Sequence, residues 1–250
     1  MLQQSSLPLA PKPVLLDETS YTQPVVVQTW IAGDVYDSPP ASDADWQKLI
    51  DHYAVIHRLT PENTRADLPD SVQNADNIAH CVQTVRGQML RIPEPPADLK
   101  RLFEHLEKIE FPDFPHSSRT LCRTDPNILN FIRQPDQWAS VDWEGSGWGD
   151  PACEIADLMI HPAYISVPPE RWDWVIEQYA VQSDSPQVAL RIRTYYRILA
   201  VWWVARLARY LYEIPRGLDQ RLVERPDDWL VEAQRKYDHY VNLAENLMGH

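Results

Sequence analysis

Leu121-Cys122-Arg123-Thr124-Asp125-Pro126-Asn127-Ile128-Leu129-Asn130-Phe131-Ile132-Arg133 sets two oxygen-bearing side chains, Asp125 and Asn130, five residues apart in a segment whose proline and asparagines argue against a helix. It reads as a loop running into a short strand, Phe131 to Arg133. Gln134-Pro135-Asp136-Gln137 supplies a turn, and Trp138 to Asp142 returns as the partner strand, which brings Asp142 back beside Asn130. Two carboxylates and an amide then meet at one end of a hairpin. Such oxygen ligands suit a hard divalent cation such as Mg²⁺, which takes one or two carboxylates and leaves the rest of its shell to water and phosphate oxygens. The second carboxylate stays free to act as a base. The plainer reading is that Asp and Asn are common in turns because they bond their own backbone. Spacing alone leaves both readings open.

Outward from this segment the chain has two textures. Upstream, Val14-Leu15-Leu16 and Val25-Val26-Val27 flank a polar stretch and read as two strands of a small sheet that looks incomplete. Gly33 and Ser38-Pro39-Pro40 break the chain before a helix capped by Ser42 or Asp43, with Trp46, Leu49, Ile50, Tyr53 and His57 on its buried face. A second helix is expected from near Asp70, with Val72, Ala75, Ile78, Ala79, Val82 and Met89 as its apolar stripe. Leu99, Leu102, Phe103 and Leu106 mark a third. Downstream, helices are expected to begin at Pro168, Pro186 and Pro226, the middle one stopping before Pro215 and Gly217.

Bulk composition narrows the function classes. The 250 residues carry a formal charge of -13, which opposes attraction to phosphate backbones, so nucleic acid is not expected as a partner. Cys81, Cys122 and Cys153 form no close pair and are odd in number, which suits reduced thiols and a cytoplasmic location. Pro8, Pro11 and Pro13 interrupt the opening where a signal peptide would need an apolar run. The most apolar stretch, Ile198 to Val204, is too short to span a bilayer, so no membrane partner is expected. His52 and His57 fall on different helix faces and make a poor zinc pair. No serine-hydrolase elbow or Walker lysine motif is present. Tyr195, Tyr196, Trp202, Trp203 and Trp229 would furnish either core packing or an aromatic wall for a cation.

Two motifs carry a family resemblance. Arg123-Thr124-Asp125 followed by Asn130 resembles the H-x-D-x-x-x-x-N catalytic loop of the aminoglycoside phosphotransferase and choline kinase family. Val141-Asp142-Trp143-Glu144 through Gly149-Asp150-Pro151 resembles its I-D-W-E…G-D-P segment. Both stand in the family's order with the hairpin between them. The resemblance implies a mostly helical α+β fold: a protein-kinase-like C-terminal lobe, residues 34–250, behind a remnant of the nucleotide-binding N-lobe sheet and hinge, residues 1–33. It implies an ATP- and Mg²⁺-dependent phosphotransferase acting on a hydroxyl of a small molecule such as an aminoglycoside or a choline-like alcohol. Asp125 would be the catalytic Asp, with Arg123 beside it. Asn130 and Asp142 would hold Mg²⁺, Asp150 would brace the loop, and Gln28, Thr29, Trp30 and Ile31 would form the hinge that meets adenine. Glu154 and Asp157 would cap or line the pocket, or simply solvate a helix start.

Two departures qualify the resemblance. Arg123 stands where the family has His, and either braces the Asp142 region by an ion pair or marks a site detuned for catalysis. No glycine-rich phosphate loop or strand lysine precedes the hinge. Lys12 is the only lysine ahead of it, between two prolines. A truncated fragment, a partner-supplied lobe or a catalytically inactive binding domain would each account for that. A helical interaction module is the third class of function, favoured if Asp125 and Asp142 lie far apart.

Overall fold

The computed structural model of the chain describes residues 8–114, 119–183, 187–219 and 225–249. Helix α1 (Asp43–Ile56) starts because the Ser42 hydroxyl accepts the Asp45 N–H at 3.1 Å, and it buries Trp46, Leu49, Ile50 and Tyr53 along one face. A short α2 (Pro61–Thr64) is closed by a Thr60–Asn63 capping box. Helices α3 (Ile78–Met89) and α4 (Ala97–Leu106) follow, the latter burying Leu99, Leu102, Phe103 and Leu106. After the hairpin region come α5 (Pro151–Ile160), α6 (Pro169–Gln182), α7 (Val188–Glu213) and α8 (Trp229–Met248).

Helix α7 is the axis of the core. It carries apolar residues around most of its circumference and is covered by α3, α4, α5, α6 and α8. Tyr195 and Trp203 are buried in it, and the Trp203 ring stacks on Tyr240 with centroids 5.5 Å apart. For these two aromatics, core packing accounts for the placement. A 3₁₀ turn, Ile214–Arg216, ends α7, and Gly217 closes it at φ +66°. No helix among the described residues is long and apolar enough to cross a membrane.

Among the described residues, strands form three two-stranded antiparallel sheets: β1 (Pro13–Asp17) with β2 (Val25–Gln28), β3 (Thr120–Cys122) with β6 (Gly147–Gly149), and β4 (Phe131–Arg133) with β5 (Trp138–Ser140). The first ribbon exposes Val14, Leu15, Leu16, Val26 and Val27. The chain leaving it crosses β4 so closely that a Cβ on Gly33 would lie 2.6 Å from Ile132 Cγ2 and 2.8 Å from the Arg133 carbonyl. Only glycine passes there. Asp34 and Arg133 then exchange backbone hydrogen bonds of 3.0 and 2.7 Å.

One helix starts later than its periodicity predicts. Residues near Asp70 are extended: Ser71 N–H bonds the Trp148 carbonyl, Trp148 N–H bonds the Pro69 carbonyl and Val72 N–H bonds the Gly145 carbonyl. Those groups are committed to Trp148 of β6 and to Gly145 just ahead of it, and the helix waits for Asn77, whose side chain caps it. Val72, expected in the apolar stripe, is 72% exposed. Pro168 does open α6, whereas Pro226 precedes α8 by a short turn and Pro186 lies outside the described residues. The β3–β6 pair has no counterpart among the strands read from sequence, because its strands are three residues each and no local turn joins them.

Candidate active site

The loop after β3 holds two residues in left-handed backbone, Thr124 at φ 57° and Asp125 at φ 45°. Each such residue with a Cβ costs about 1–3 kcal/mol and persists only where the surroundings enforce it. Glu154, in the first turn of α5, supplies the enforcement. Its Oε1 accepts the N–H groups of Arg123 at 2.8 Å and Thr124 at 2.7 Å. Its Oε2 lies 2.7 Å from His57 Nε2, and His57 Nδ1 lies 2.7 Å from the Tyr179 hydroxyl. Helices α1, α5 and α6 therefore clamp the loop from behind through one buried chain of polar contacts. Glu154 is neither a pocket wall nor a solvated helix start.

On the solvent side, Asn130 Nδ2 donates to the Asp125 carboxylate at 3.2 Å and to its backbone carbonyl at 3.3 Å. The amide nitrogen being spent, its Oδ1 is left available to a cation. Asp142 sits where the hairpin returns: Phe131 pairs with Ser140, and Val141 N–H donates to the Asn130 carbonyl at 2.9 Å. Asp142 is exposed, with φ 61°, and its carboxylate has no hydrogen bond among the described residues. An unspent carboxylate and a free amide oxygen at the same end of the hairpin are ligand types that fit the all-oxygen shell of Mg²⁺. The structure thus brings Asp125 and Asn130 into contact and sets Asp142 on the residue following Asn130's backbone partner.

Arg123 is wholly buried, 0% exposed. It makes no ion pair with Asp142. Nη1 donates to the Asp125 carbonyl at 3.0 Å and Nη2 to the Val141 carbonyl at 2.9 Å, while the guanidinium lies 4.8 Å from the Phe131 ring centre and 5.9 Å from that of Trp143. One rigid fork thereby ties the Asp125 loop to the strand exit that carries Asp142. These contacts make Arg123 a positioning residue.

Asp150 caps α5 through the Ala152 N–H, accepts from Tyr195 at 2.8 Å and pairs with Arg191. Its carboxylate is fully engaged, as expected of a brace. Gln28, Thr29, Trp30 and Ile31 stand apart from the Asp125 cluster, at the end of β2. Thr29 exchanges hydrogen bonds with Lys12, and Trp30 is 90% exposed. Residues 32–34 join them to the hairpin, where Gln134 Nε2 donates to the Ala32 carbonyl at 2.7 Å.

Near Asp125 stand His161, which no motif marks, and Asp157, read from sequence as capping or lining the pocket or solvating a helix start. His161, just past α5, places Nε2 3.8 Å from the Asp125 carboxylate. Burial drives its pKa down to about 4, against the pull of Asp125, so it is neutral at pH 7. Asp157, one turn earlier, is pushed up to about 7 by burial, partly opposed by Arg206. No spacing signal announces His161, since it caps the end of the helix that follows the second motif. His57, Cys122 and Glu154 have donors within 4.8 Å of one another, but His57 and Glu154 are already committed to each other and to the loop. His52 is also core: its Nδ1 lies 3.0 Å from the Trp138 carbonyl and its Nε2 3.1 Å from the Ser140 hydroxyl. A carbonyl only accepts, so Nδ1 carries the proton.

A helical lobe clamping a strained acidic loop ahead of a hairpin defines the class of kinase-like phosphotransferase folds. The model of the phosphotransferase enzyme family matches residues 2–183, and the chain belongs to that family, as an aminoglycoside phosphotransferase-like kinase. Among solved structures it is similar to a protein of Ralstonia eutropha JMP134 assigned provisionally to the aminoglycoside phosphotransferases, with TM-score 0.71, 14% identity, and 98% of this chain and 79% of that one covered. It is also similar to the choline kinase LicA from Streptococcus pneumoniae, with TM-score 0.60, 17% identity, and 96% and 77% covered. A third is spectinomycin phosphotransferase in complex with ADP and spectinomycin, with TM-score 0.61, 13% identity, and 98% and 79% covered. At these identities the likeness is one of fold.

Proposed function

We propose that this protein transfers the γ-phosphoryl group of ATP, with Mg²⁺, to a hydroxyl of a small molecule, and that Asp125 takes the hydroxyl proton. The observation that carries this is the Asp125–Asn130 contact on a loop forced into left-handed backbone, with the unspent Asp142 at the hairpin's exit. In the reaction the acceptor oxygen bonds the γ-phosphorus while the bond to the β–γ bridging oxygen breaks. That electron pair leaves with ADP, and the hydroxyl proton passes to Asp125. Asn130 Oδ1 and Asp142 would hold Mg²⁺, which supplies charge neutralisation at the phosphates. Asn130 also orients Asp125 through its amide. The segment Gln28 to Ile31 would meet adenine: Thr29 N–H is spent on Lys12, which leaves the Trp30 and Ile31 amides for the base. The exposed β1–β2 ribbon supports reading residues 1–33 as the end of a nucleotide-binding lobe and 34–250 as the catalytic lobe. Free, buried Cys81, Cys122 and Cys153 suit a reducing cytoplasm.

The test is Asp125→Asn, assayed as Mg²⁺-dependent conversion of ATP to ADP with a panel of alcohol acceptors. Transfer should fall by about 10²–10⁴-fold with the thermal melt unchanged. Full turnover in the variant removes the assignment. A second reading, nucleotide binding without transfer, draws on Lys12, which pairs with Thr29 at the ribbon's end and is exposed. A thermal shift with ATP and Mg²⁺ but no ADP formed with any acceptor would favour it.

A further inference from the structure

A cavity of about 340 Å³ is walled by residues 71–75, His80 and Thr84 of α3, Asp157 of α5, and Trp202 and Arg206 of α7. Two chains of contacts run from its wall to the Asp125 loop. On one side Val72 N–H bonds the Gly145 carbonyl at 3.0 Å, and a Cβ on Gly145 would lie 2.6 Å from the Thr124 hydroxyl. On the other, Arg206 lies 5.3 Å from the Trp203 ring centre, Trp203 5.8 Å from His161, and His161 3.8 Å from the Asp125 carboxylate. The volume is that of a small-molecule site.

Arg206 decides what kind of molecule fits. Its guanidinium is held against Trp202 at 4.9 Å, Trp203 at 5.3 Å and Tyr210 at 5.2 Å, so its attitude is fixed by cation–π contact. Among the described residues no carboxylate pairs with it, and its Nε is buried without a hydrogen-bond partner. The aromatic wall that a cationic substrate would need is thus occupied by the protein's own cation. A fixed guanidinium with unspent donors matches a planar oxyanion. Of the other ionisable groups, His80 pairs with Asp76 at 3.8 Å. Asp157, pushed up to about 7 by burial against the pull of Arg206, is half protonated at neutral pH and can donate to or accept from a hydroxyl.

We propose that this cavity is the phosphate-acceptor site and that it takes a small hydroxylated carboxylic acid, with its carboxylate on Arg206 and a hydroxyl directed to Asp125. The orientation rests on the phosphotransferase reading; the preference for an acid does not. The test measures binding to the full chain without nucleotide, by calorimetry, for two sets matched in shape and differing in charge. These are gluconate, glucose and glucosamine, and glycerate, glycerol and ethanolamine. In at least one set the acid should bind about tenfold or more tighter than its neutral partner, with the amine weakest. Arg206→Gln should erase that advantage and Arg206→Lys should keep part of it. Because Arg206 packs on three rings, thermal melts of both variants accompany the measurement, and rising salt should weaken only the acid in the unmutated chain. An amine bound as tightly as the acid, or an acid advantage that survives Arg206→Gln in a folded variant, overturns the proposal. Acid binding with no transfer from ATP would sink the kinase reading alone. Transfer to the amines with the acids inert would sink the acceptor proposal alone.

Discussion

Arg123 and Glu154 hold the Asp125 loop from opposite directions, the arginine through carbonyl oxygens and the glutamate through amide N–H groups. Both are buried, so neither is replaceable by a group that reaches only half its partners. Lysine at 123 keeps the charge but offers a single nitrogen, which cannot serve the Asp125 and Val141 carbonyls in the same geometry. Arg123→Lys should lower the unfolding free energy by about 1–3 kcal/mol in urea titrations. If Glu154 enforces the left-handed residues, Glu154→Gln should cost about 2 kcal/mol and also lower turnover without raising the KM for ATP. Unaltered stability in both variants would mean the loop holds its shape without the clamp. The resemblance pointed to Asp125 and Asn130, because their spacing is local. It did not pair Glu154 with His57, 97 residues apart, whose meeting no window of sequence contains.

At the level of elements, the β1–β2 ribbon and α7 are opposites. An isolated pair of strands with apolar side chains in water is marginal, whereas α7 is sheathed by five helices. Native-state hydrogen exchange should therefore show the amides of residues 25–28 exchanging orders of magnitude faster than those of 195–205. Equal protection would mean that the ribbon is covered in solution. Gly33 joins the ribbon to the catalytic hairpin at a crossing that admits no Cβ. Gly33→Ala should destabilise by about 1–3 kcal/mol and loosen the Asp34–Arg133 pairing, read as faster exchange at those two amides. The helices were legible where apolar spacing ran uninterrupted, as in α1 and α4. The stretch from Asp70 misled because its apolar spacing is helical while the backbone groups of Ser71 and Val72 are claimed by Trp148 and Gly145, 73 or more residues downstream in the chain.

For the whole molecule, buried titratable groups set how stability follows pH. His52 and His161 are driven down by burial to about 3 and about 4. Between about pH 4 and the unfolded value near 6.5, the unfolded chain binds two protons that the folded chain refuses, so these two groups make stability fall as pH falls. Asp157 acts in reverse. Raised to about 7, it holds a proton in the folded chain that the unfolded chain releases above about pH 4, so it costs stability as pH rises through that window. The net from these three groups is about one proton, a loss of roughly 1.4 kcal/mol per unit on going from pH 6 to 5. In Asp157→Asn that slope should approximately double, a comparison that urea titrations at the two pH values resolve. An unchanged slope would mean Asp157 is ionised in the folded chain.

Local sequence determined the loop, the turn, the hairpin register and the faces of the regular helices, because each depends on residues within a few positions of one another. It also carried the motifs that mark the family. Tertiary structure alone decided that Glu154, His57 and Tyr179 stand behind the loop, that the backbone near Asp70 is extended, and that Arg206 faces a cavity from a bed of tryptophans. Those outcomes depend on which distant groups claim a hydrogen bond or cover a side chain, and a linear pattern does not record that competition.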